Sequence, residues 1–425
     1  MRLPDSLIKR IEHYSSKLGD NPGLCELYRN CSASTLETAV RECEDGTYFV
    51  LTGDIPAMWL RDSSAQVSHY IPLASDPEIA AVIEGVIRRQ FMYIEIDPYA
   101  NAFNQTPNGE GHPEDLPKNN PWVFERKYEV DSLCYPLRLL YKYWKQTGNS
   151  GIIKENLAPV IRIIIDQWKT EQRHDEKSPY YFIRLADGMT AEDCPDKPEV
   201  APTAYTGMTW SGFRPSDDGC VYGYLTASEM FAVVTLGYAA EMLRAVCKNE
   251  ALAEECDALR GEIDAGIREY CIVENNKYGR IYACETDGYG HYSMIDDANI
   301  PSLLSIPYIG YAPADDEVYI NTRRFLLSPD NPFYYSGKYA KGVGSPHTPH
   351  NYVWHMSLIM QGLTSTSDSE KLELLEMITG TDAGKRHLHE GFNVDNPHEY
   401  TREWFTWPEA LFAEFVEDCA DCGVI

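Results

Sequence analysis

The chain has 425 residues, and 65 Asp and Glu against 37 Lys and Arg leave a formal charge of −28. That balance excludes nucleic acid as an expected partner, because a phosphate-backbone binder needs a basic surface to displace counterions. With 44% apolar and 24% charged residues the chain can bury a large core, so it is not a disordered acidic tail either.

In chain order, residues 1–14 alternate charge with apolar positions and contain neither an apolar h-region nor a small-residue cleavage site. This predicts no secretory signal and a cytoplasmic location. Apolar residues at helical spacing then predict helices over 6–17, 24–40, 63–73, 79–94, 130–146, 152–172, 226–245, 251–270, 302–308, 318–326, 351–363 and 368–379. A last helix is expected to open near Thr401 and to end near Val416. Strand signals are confined to 47–52 and 181–184. No apolar stretch approaches the roughly 18 residues of a membrane span. The nearest, 231–240, is interrupted by Thr235 and Gly237, and no membrane association is expected. The 12 cysteines, with Cys134, Cys220 and Cys247 placed among apolar neighbours in expected helices, read as reduced, buried thiols. Cys419 and Cys422 form a lone CxxC without a second pair, so neither metal nor redox use is expected of them.

The helices come in pairs, separated by loops rich in Gly, Pro, Asn and aromatics at 96–128, 173–224, 273–299 and 327–350. A solenoid would need a motif recurring at a fixed period, and none is found. An α/α toroid, the all-α (α/α)6 barrel of about six inner and about six outer helices, needs only alternation, with elaborate loops over one face. That architecture is expected as a single domain over 1–425, because no Ser/Gly-rich or charge-run linker divides the chain. Long structureless connections inside a compact domain are usually functional, so the chemistry belongs in these loops.

The first such segment is DIPAMWLRDSSAQ at 54–66. Asp62 or Ser63 is placed to cap the helix that follows. Alternatively, Arg61 and Asp62 bind vicinal hydroxyls as donor and acceptor while Trp59 packs on the apolar face of a sugar ring. In WVFERKYEVD at 122–131, the charges Glu125, Arg126, Lys127, Glu129 and Asp131 fit a solvated helix start as well as a site. TGMTWSGFRPSDDG at 206–219 brings Trp210, Arg214 and the neighbouring carboxylates Asp217 and Asp218 ahead of Tyr222. Two adjacent carboxylates repel unless their surroundings separate their pKa values, and that separation is what a general acid needs. Asp296 and Asp297 lack the third carboxylate of a diphosphate-binding magnesium motif. His347 and His350, flanked by Pro346 and Pro349, lack helical geometry and the Glu of HExxH, so substrate hydrogen bonding is preferred over metal. Glu390 follows His389 in a short turn before the last helix.

Together these segments resemble glycoside hydrolase family 125, a family of exo-acting α-mannosidases built on an (α/α)6 barrel. The resemblance is carried by DIPAMWLRDSSAQ, FERKYEVDSLCYP, TGMTWSGFRPSDD, DDANIPSLLS, GSPHTP, HEGF and TREWFTWPEALFAE, which run from Asp54 to Glu414. Gly391 stands where the resemblance implies Ser, and His355 where it implies Pro. It implies hydrolysis of a terminal non-reducing α-1,6-linked mannose from mannose-containing oligosaccharides, such as N-glycan-derived mannosides, with inversion and with no metal or other cofactor. Inversion requires one carboxylic acid to protonate the leaving oxygen and one carboxylate to activate water, about 6.5–9.5 Å apart. The acid is expected at Asp218 or Asp217, with Asp218 first because Gly219 beside it leaves room to reach into a pocket; the base is expected at Glu390. Arg61 and Asp62 are implied to hold the mannose hydroxyls with Trp59 beside them. Glu125, Arg126 and His347 are implied as ring or leaving-group contacts, and Trp210 and Tyr222 as an aromatic wall. Two other readings compete: an α/α-barrel glycosidase acting on α-glucosides, and a glycan-binding protein that has lost catalysis.

Overall fold

The computed structural model describes residues 2–19, 21–184 and 201–425. The 185–200 part of the expected 173–224 loop lies outside the described residues. Helix α1 (Asp5–Ser15) leads into an alternation of outer and inner helices. The outer helices are α2 (Pro22–Ser34), α4 (Pro77–Ile96), α6 (Ala158–Glu171), α9 (Glu250–Tyr270), α11 (Glu317–Leu326) and α13 (Asp368–Thr379). The inner helices are α3 (Leu60–Ser68), α5 (Val130–Thr147), α8 (Thr226–Met242), α10 (Ile306–Ile309), α12 (His355–Leu363) and α14 (Thr406–Asp421), with the single turn α7 (His174–Lys177) between α6 and α8. Contacts run α3–α5–α8–α10 and, through the turn Leu303–Ser305 that leads into α10, on to α12, α14 and back to α3. This closed ring is the (α/α)6 barrel that the alternation predicts.

The inner helices are covered on all sides, and their sequences meet that demand. Every residue of α3 from Leu60 to Val67 is buried. Helix α8 with its continuation, Thr226–Cys247, is long and apolar enough to cross a membrane by length and composition alone. This corrects the expectation that no stretch approaches a span; an inner helix packed in a ring is apolar all round for the same reason a spanning one is. Helix starts largely separate the two rings, α6 being an outer helix without a side-chain cap because it continues from the turn Ile153–Leu157. Asn21, Asp76, Asn249, Asp316 and Ser367 cap α2, α4, α9, α11 and α13 with a side-chain acceptor. Trp59, Glu129, Leu225, Trp354 and Phe405 precede α3, α5, α8, α12 and α14 in extended conformation without any side-chain cap. The starts of these five inner helices lack a side-chain cap, and their positive dipole ends favour anions.

Short sheets deliver every second inner helix. Met58–Trp59 pairs with Ala102–Phe103, which pairs with Val123–Glu125. Tyr224–Leu225 pairs with Glu285–Thr286, and Tyr352–Trp354 with Gly391–Asn393. Three expectations shift. The last helix begins at Thr406, not near Thr401, because Thr401 N–H is spent on Gly391 O at 2.8 Å and Arg402 adopts φ +49°. Asp62 and Ser63 lie inside α3 and cap nothing, Ser63 Oγ donating back to Trp59 O at 2.6 Å. Residues 181–184 contribute one bridge, Ile183 to Leu116, in place of a strand. All eleven cysteines among the described residues are free thiols, although Cys220 lies in the loop before α8.

Candidate active site

The starts of the inner helices bring charged side chains into one buried cluster. Arg61, in the first turn of α3, lies among four carboxylates. Its Nη1 is 2.5 Å from Glu129 Oε2 and 3.2 Å from Asp131 Oδ2, its Nη2 3.5 Å from Asp217 Oδ1, and its Nε 3.6 Å from Asp62 Oδ2. Glu129 and Asp131 flank the start of α5, where Ser132 Oγ donates to Glu129 at 2.7 Å and Ser228 Oγ, from the start of α8, to Asp131 at 3.2 Å. One guanidinium cannot balance four ionised neighbours in a low dielectric. Burial pushes Glu129 well above the usual carboxylate range, with Asp217 adding to the effect and Arg61 opposing it. Burial also pushes Asp62 up to about 6 against the pull of Arg61 and Arg402. Asp217 goes the other way: its burial is outweighed by Lys127 and Arg61, which hold it below the usual range. Burial and charge thus push Glu129 and Asp217 in opposite directions.

Asp217 and Asp218 sit in a turn closed by Arg214 N–H to Asp218 O at 2.8 Å and Asp217 N–H to Arg214 O at 2.9 Å. Asp217 has φ +69°, a left-handed conformation that Asp tolerates better than most residues. The turn is clamped from several sides. Lys127 Nζ donates to Asp217 O at 2.7 Å, Asn299 Nδ2 to Pro215 O at 2.6 Å, and Ser216 Oγ to Asp297 Oδ2 at 2.5 Å. The Asp296-Asp297-Ala-Asn299 segment is therefore a brace under the turn, with Asp296 accepting the Leu303 and Leu304 N–H groups at 3.0 and 3.2 Å. Arg214 is tied to Glu285 at 2.6 Å, whose second oxygen accepts the Val221 and Tyr222 N–H groups at 2.9 and 3.0 Å. His347 Nδ1 is 2.9 Å from Asp218 Oδ1. Burial lowers the imidazole, but Asp218, Glu390 and Asp217 outweigh it and raise His347 to about 9, so it donates to Asp218 as a cation. His347 is also where the two sets of carboxylates meet.

Glu390 enters from the opposite edge, one residue ahead of the strand paired with Tyr352–Trp354. Its carboxylate is buried, 3.6 Å from Arg402 Nη1, and its carbonyl accepts the His355 N–H at 3.2 Å. His355 Nδ1 in turn accepts the His389 N–H at 3.2 Å; burial pushes its pKa down to about 3, which keeps it a neutral acceptor. Pro at position 355 would offer neither bond, so this departure from the family pattern braces the Glu390 segment. At Gly391 a Cβ would lie 3.1 Å from Trp354 Cδ1 and 3.4 Å from Thr401 Oγ1, so Ser there requires its neighbours to yield slightly.

The structure thus brings Arg61, Asp62, Asp217, Asp218, His347 and Glu390 together. Trp59 heads α3 but packs in a small apolar group with Ala57, Ala102 and Phe124. Glu125 is engaged at 2.7 Å by Arg184 and lies 4.0 Å from Lys127. Two expected contacts already have other partners. Arg126 is ion-paired to Asp97 at 2.7 Å and lies over the Tyr99 and Tyr180 rings. Trp210, 2% exposed, is stacked on His174 at 3.6 Å and is a core residue and not an open wall. Tyr222 is half-buried against His291. His350 packs on Tyr335 and does not join His347. Lys127, Glu129 and Asp131 were ambiguous in sequence between a helix start and a site; Asp297 and Arg402 lay within motifs of the resemblance without a role of their own, and Glu285 carried no local signal. Only their long-range partners reveal them.

An (α/α)6 barrel that gathers carboxylates over the starts of its inner helices has the architecture of a glycoside hydrolase. Residues 21–417 match the family model described as metal-independent alpha-mannosidase (GH125). The chain belongs to glycoside hydrolase family 125 and is an α-mannosidase of the metal-independent kind. It is 38% identical to the meiotically up-regulated gene 157 protein of Schizosaccharomyces pombe (strain 972 / ATCC 24843) over 436 residues, covering 97% of this chain and 85% of that one. A solved structure of a metal-independent α-mannosidase from Streptococcus pneumoniae, in a non-productive substrate complex with α-1,6-mannobiose, matches with a TM-score of 0.95 and 44% identity. That match covers 99% of this chain and 100% of the other. A bacterial glucoamylase complexed with acarbose shares the fold alone, with a TM-score of 0.58 and 12% identity over 97% of this chain and 57% of that one.

Proposed function

We propose that this chain is an exo-acting, inverting α-1,6-mannosidase in which Asp218 is the general acid and Glu390 the general base. The observation that carries the reading is the arrangement of Asp218 and Glu390 around a shared cation, His347, above the uncapped inner-helix starts. Asp218 donates its proton to the glycosidic oxygen as the bond to the anomeric carbon breaks, and the carboxylate left behind is stabilised by the His347 cation. Glu390 takes a proton from the water that attacks the opposite ring face. Asp217, ionised and locked through its backbone to Lys127, serves as a fixed charge facing the sugar, which argues against it as the acid. Arg61 and Asp62 receive mannose hydroxyls. The 1,6-linkage is supported by the mannobiose bound to the Streptococcus pneumoniae relative.

Proton NMR of the hydrolysis of α-1,6-mannobiose tests this directly: β-mannose is expected as the first-formed product. First-formed α-mannose, or turnover of α-glucosides in its place, overturns the proposal. Asp218→Asn is expected to lose about 10²–10⁴-fold on mannobiose while sparing an aryl mannoside whose leaving group needs no protonation. Equal losses on both substrates would remove Asp218 from the acid role.

A further inference from the structure

Arg402 is the cation on the Glu390 side of the cluster, and the chain goes to some length to fix it. Its φ of +49° is a left-handed conformation that costs a non-glycine residue about 1 kcal/mol or more and persists only where the surroundings enforce it. They do so here. Arg402 Nη2 donates to Thr52 O at 2.7 Å, its Nε donates to Asp54 Oδ1 at 2.8 Å, and its guanidinium lies 4.1 Å above the Phe405 ring. The flanking backbone is locked as well. Thr401 N–H donates to Gly391 O at 2.8 Å, and Asp54 N–H to Trp404 O at 3.2 Å. Gly53, at φ +58°, is the only kind of residue that fits there, because a Cβ would lie 2.1 Å from Trp404 O. The remaining arm, Nη1, stands 3.6 Å from Glu390 Oε1, and the Arg402 side chain is only 17% exposed. The 388–391 turn and the 401–405 segment therefore present the carboxylate and the cation to each other as one rigid pair.

We propose that Arg402 is the positioning residue of the general base: it holds the Glu390 carboxylate at the site and supplies the fixed positive charge beside it. This rests on the assignment of Glu390 as the base. The other charged groups facing the pair are His347, which feels Glu390 across the cluster, Asp62 of α3, which feels Arg402, and Asp54 on the far side of the guanidinium. Two of these, Asp54 and Asp62, are acidic, and Arg402 is the cation ion-paired with Glu390 among the described residues.

The experiment is the pH profile of kcat/KM on α-1,6-mannobiose for wild type, Arg402→Gln, Arg402→Lys and Glu390→Gln, each confirmed folded by its thermal melt. An opposite charge at this distance lowers a carboxyl by about 1–3 pH units. Arg402→Gln is expected to move the acid limb up by about 1 unit or more, so that the deficit against wild type is about tenfold larger at pH 5 than at pH 7. Arg402→Lys, which keeps the charge but not the fork, is expected to lose rate with the limb unmoved. Should Arg402→Gln lower the rate equally at every pH while Glu390→Gln abolishes the acid limb, Arg402 is structural only and the inference falls. An acid limb that survives in Glu390→Gln would instead remove Glu390 from the base role, which is a failure of the functional reading and not of the pairing. If Arg402→Gln does not fold, the Arg402→Lys and Asp54→Asn profiles decide: both must keep the wild-type limb within about 0.5 unit, since each leaves a cation beside Glu390.

Discussion

Arg61 illustrates how the site tolerates so many acidic groups in so little space. Four carboxylates surround it, and burial raises Glu129 against the pull of Arg61, which favours its neutral form. Replacing Glu129 with Gln preserves its shape, and because burial disfavours its charged form, chemical denaturation is expected to find the loss within about 1 kcal/mol. Glu129→Ala leaves a cavity and strips the buried Arg61 of its shortest contact, and about 3 kcal/mol or more is expected to be lost. A Glu129→Gln loss as large as that of Ala would mean that residue 129 is ionised. At this scale sequence reading was strongest where residue types are rare in combination: Trp59-Leu-Arg61-Asp62 and Ser216-Asp217-Asp218-Gly219 attract attention in any chain. It was weakest at Arg126 and Trp210, whose chemistry suits a sugar site but whose partners, Asp97 and His174, consume it.

Among elements, the contrast between capped outer and uncapped inner helices separates stability from function. Asn249 Oδ1 accepts the Leu252 N–H at 3.2 Å to start α9, so Asn249→Ala is expected to cost about 1 kcal/mol with kcat/KM unchanged. At the other end of an inner helix, Gly148 closes α5 at φ +71° with open space around its Cβ position. Gly148→Ala is therefore expected to cost about 1 kcal/mol through backbone strain alone, and Gly148→Asn less, as thermal melts at one pH would read. Apart from α10, reached through the Ser302 capping box, the starts of the inner helices could not be placed from capping signals because they have none. Trp59, Leu225 and Trp354 each end a short strand and pass directly into a helix. The apolar periodicity near Thr401 was genuine, but Arg402 in the left-handed region and the Gly391–Thr401 bond hold those residues out of the helix.

For the whole molecule, closing a ring of inner helices buries titratable groups that have no charge partner, and these make stability depend on pH. His69 is pushed down to about 3 by burial, with Arg10 adding to it, so the folded chain holds it neutral while the unfolded chain protonates it below about 6.5. The unfolded state thus binds the extra proton between about 3 and 6.5, and stability falls as the pH drops through that window. Asp296 is pushed up to about 7 by burial. Its folded form keeps a proton that the unfolded chain releases above about 4, so this group costs stability as the pH rises from about 4 to 7. Melting temperatures between pH 4 and 7 are expected to show a flatter acid decline in His69→Asn and a steeper one in Asp296→Asn. Slopes identical to wild type in both would mean that neither group differs between the folded and unfolded states.

What the sequence determined by itself was the architecture and the chemical cast. Twelve-odd periodic segments joined by long polar and aromatic loops leave few options but a toroid, because a pattern of buried faces is written locally in residue spacing. The motifs between Asp54 and Glu414 likewise carried the family. Tertiary structure alone decided which charges meet. Asp218 and His347 are 129 residues apart in the chain, and Arg61 and Glu129 are 68 apart. No local pattern encodes such a pairing; it exists because the ring closes and sets the inner-helix starts side by side. That closure also sets Glu129 and Asp217 against each other and locks Arg402 beside Glu390.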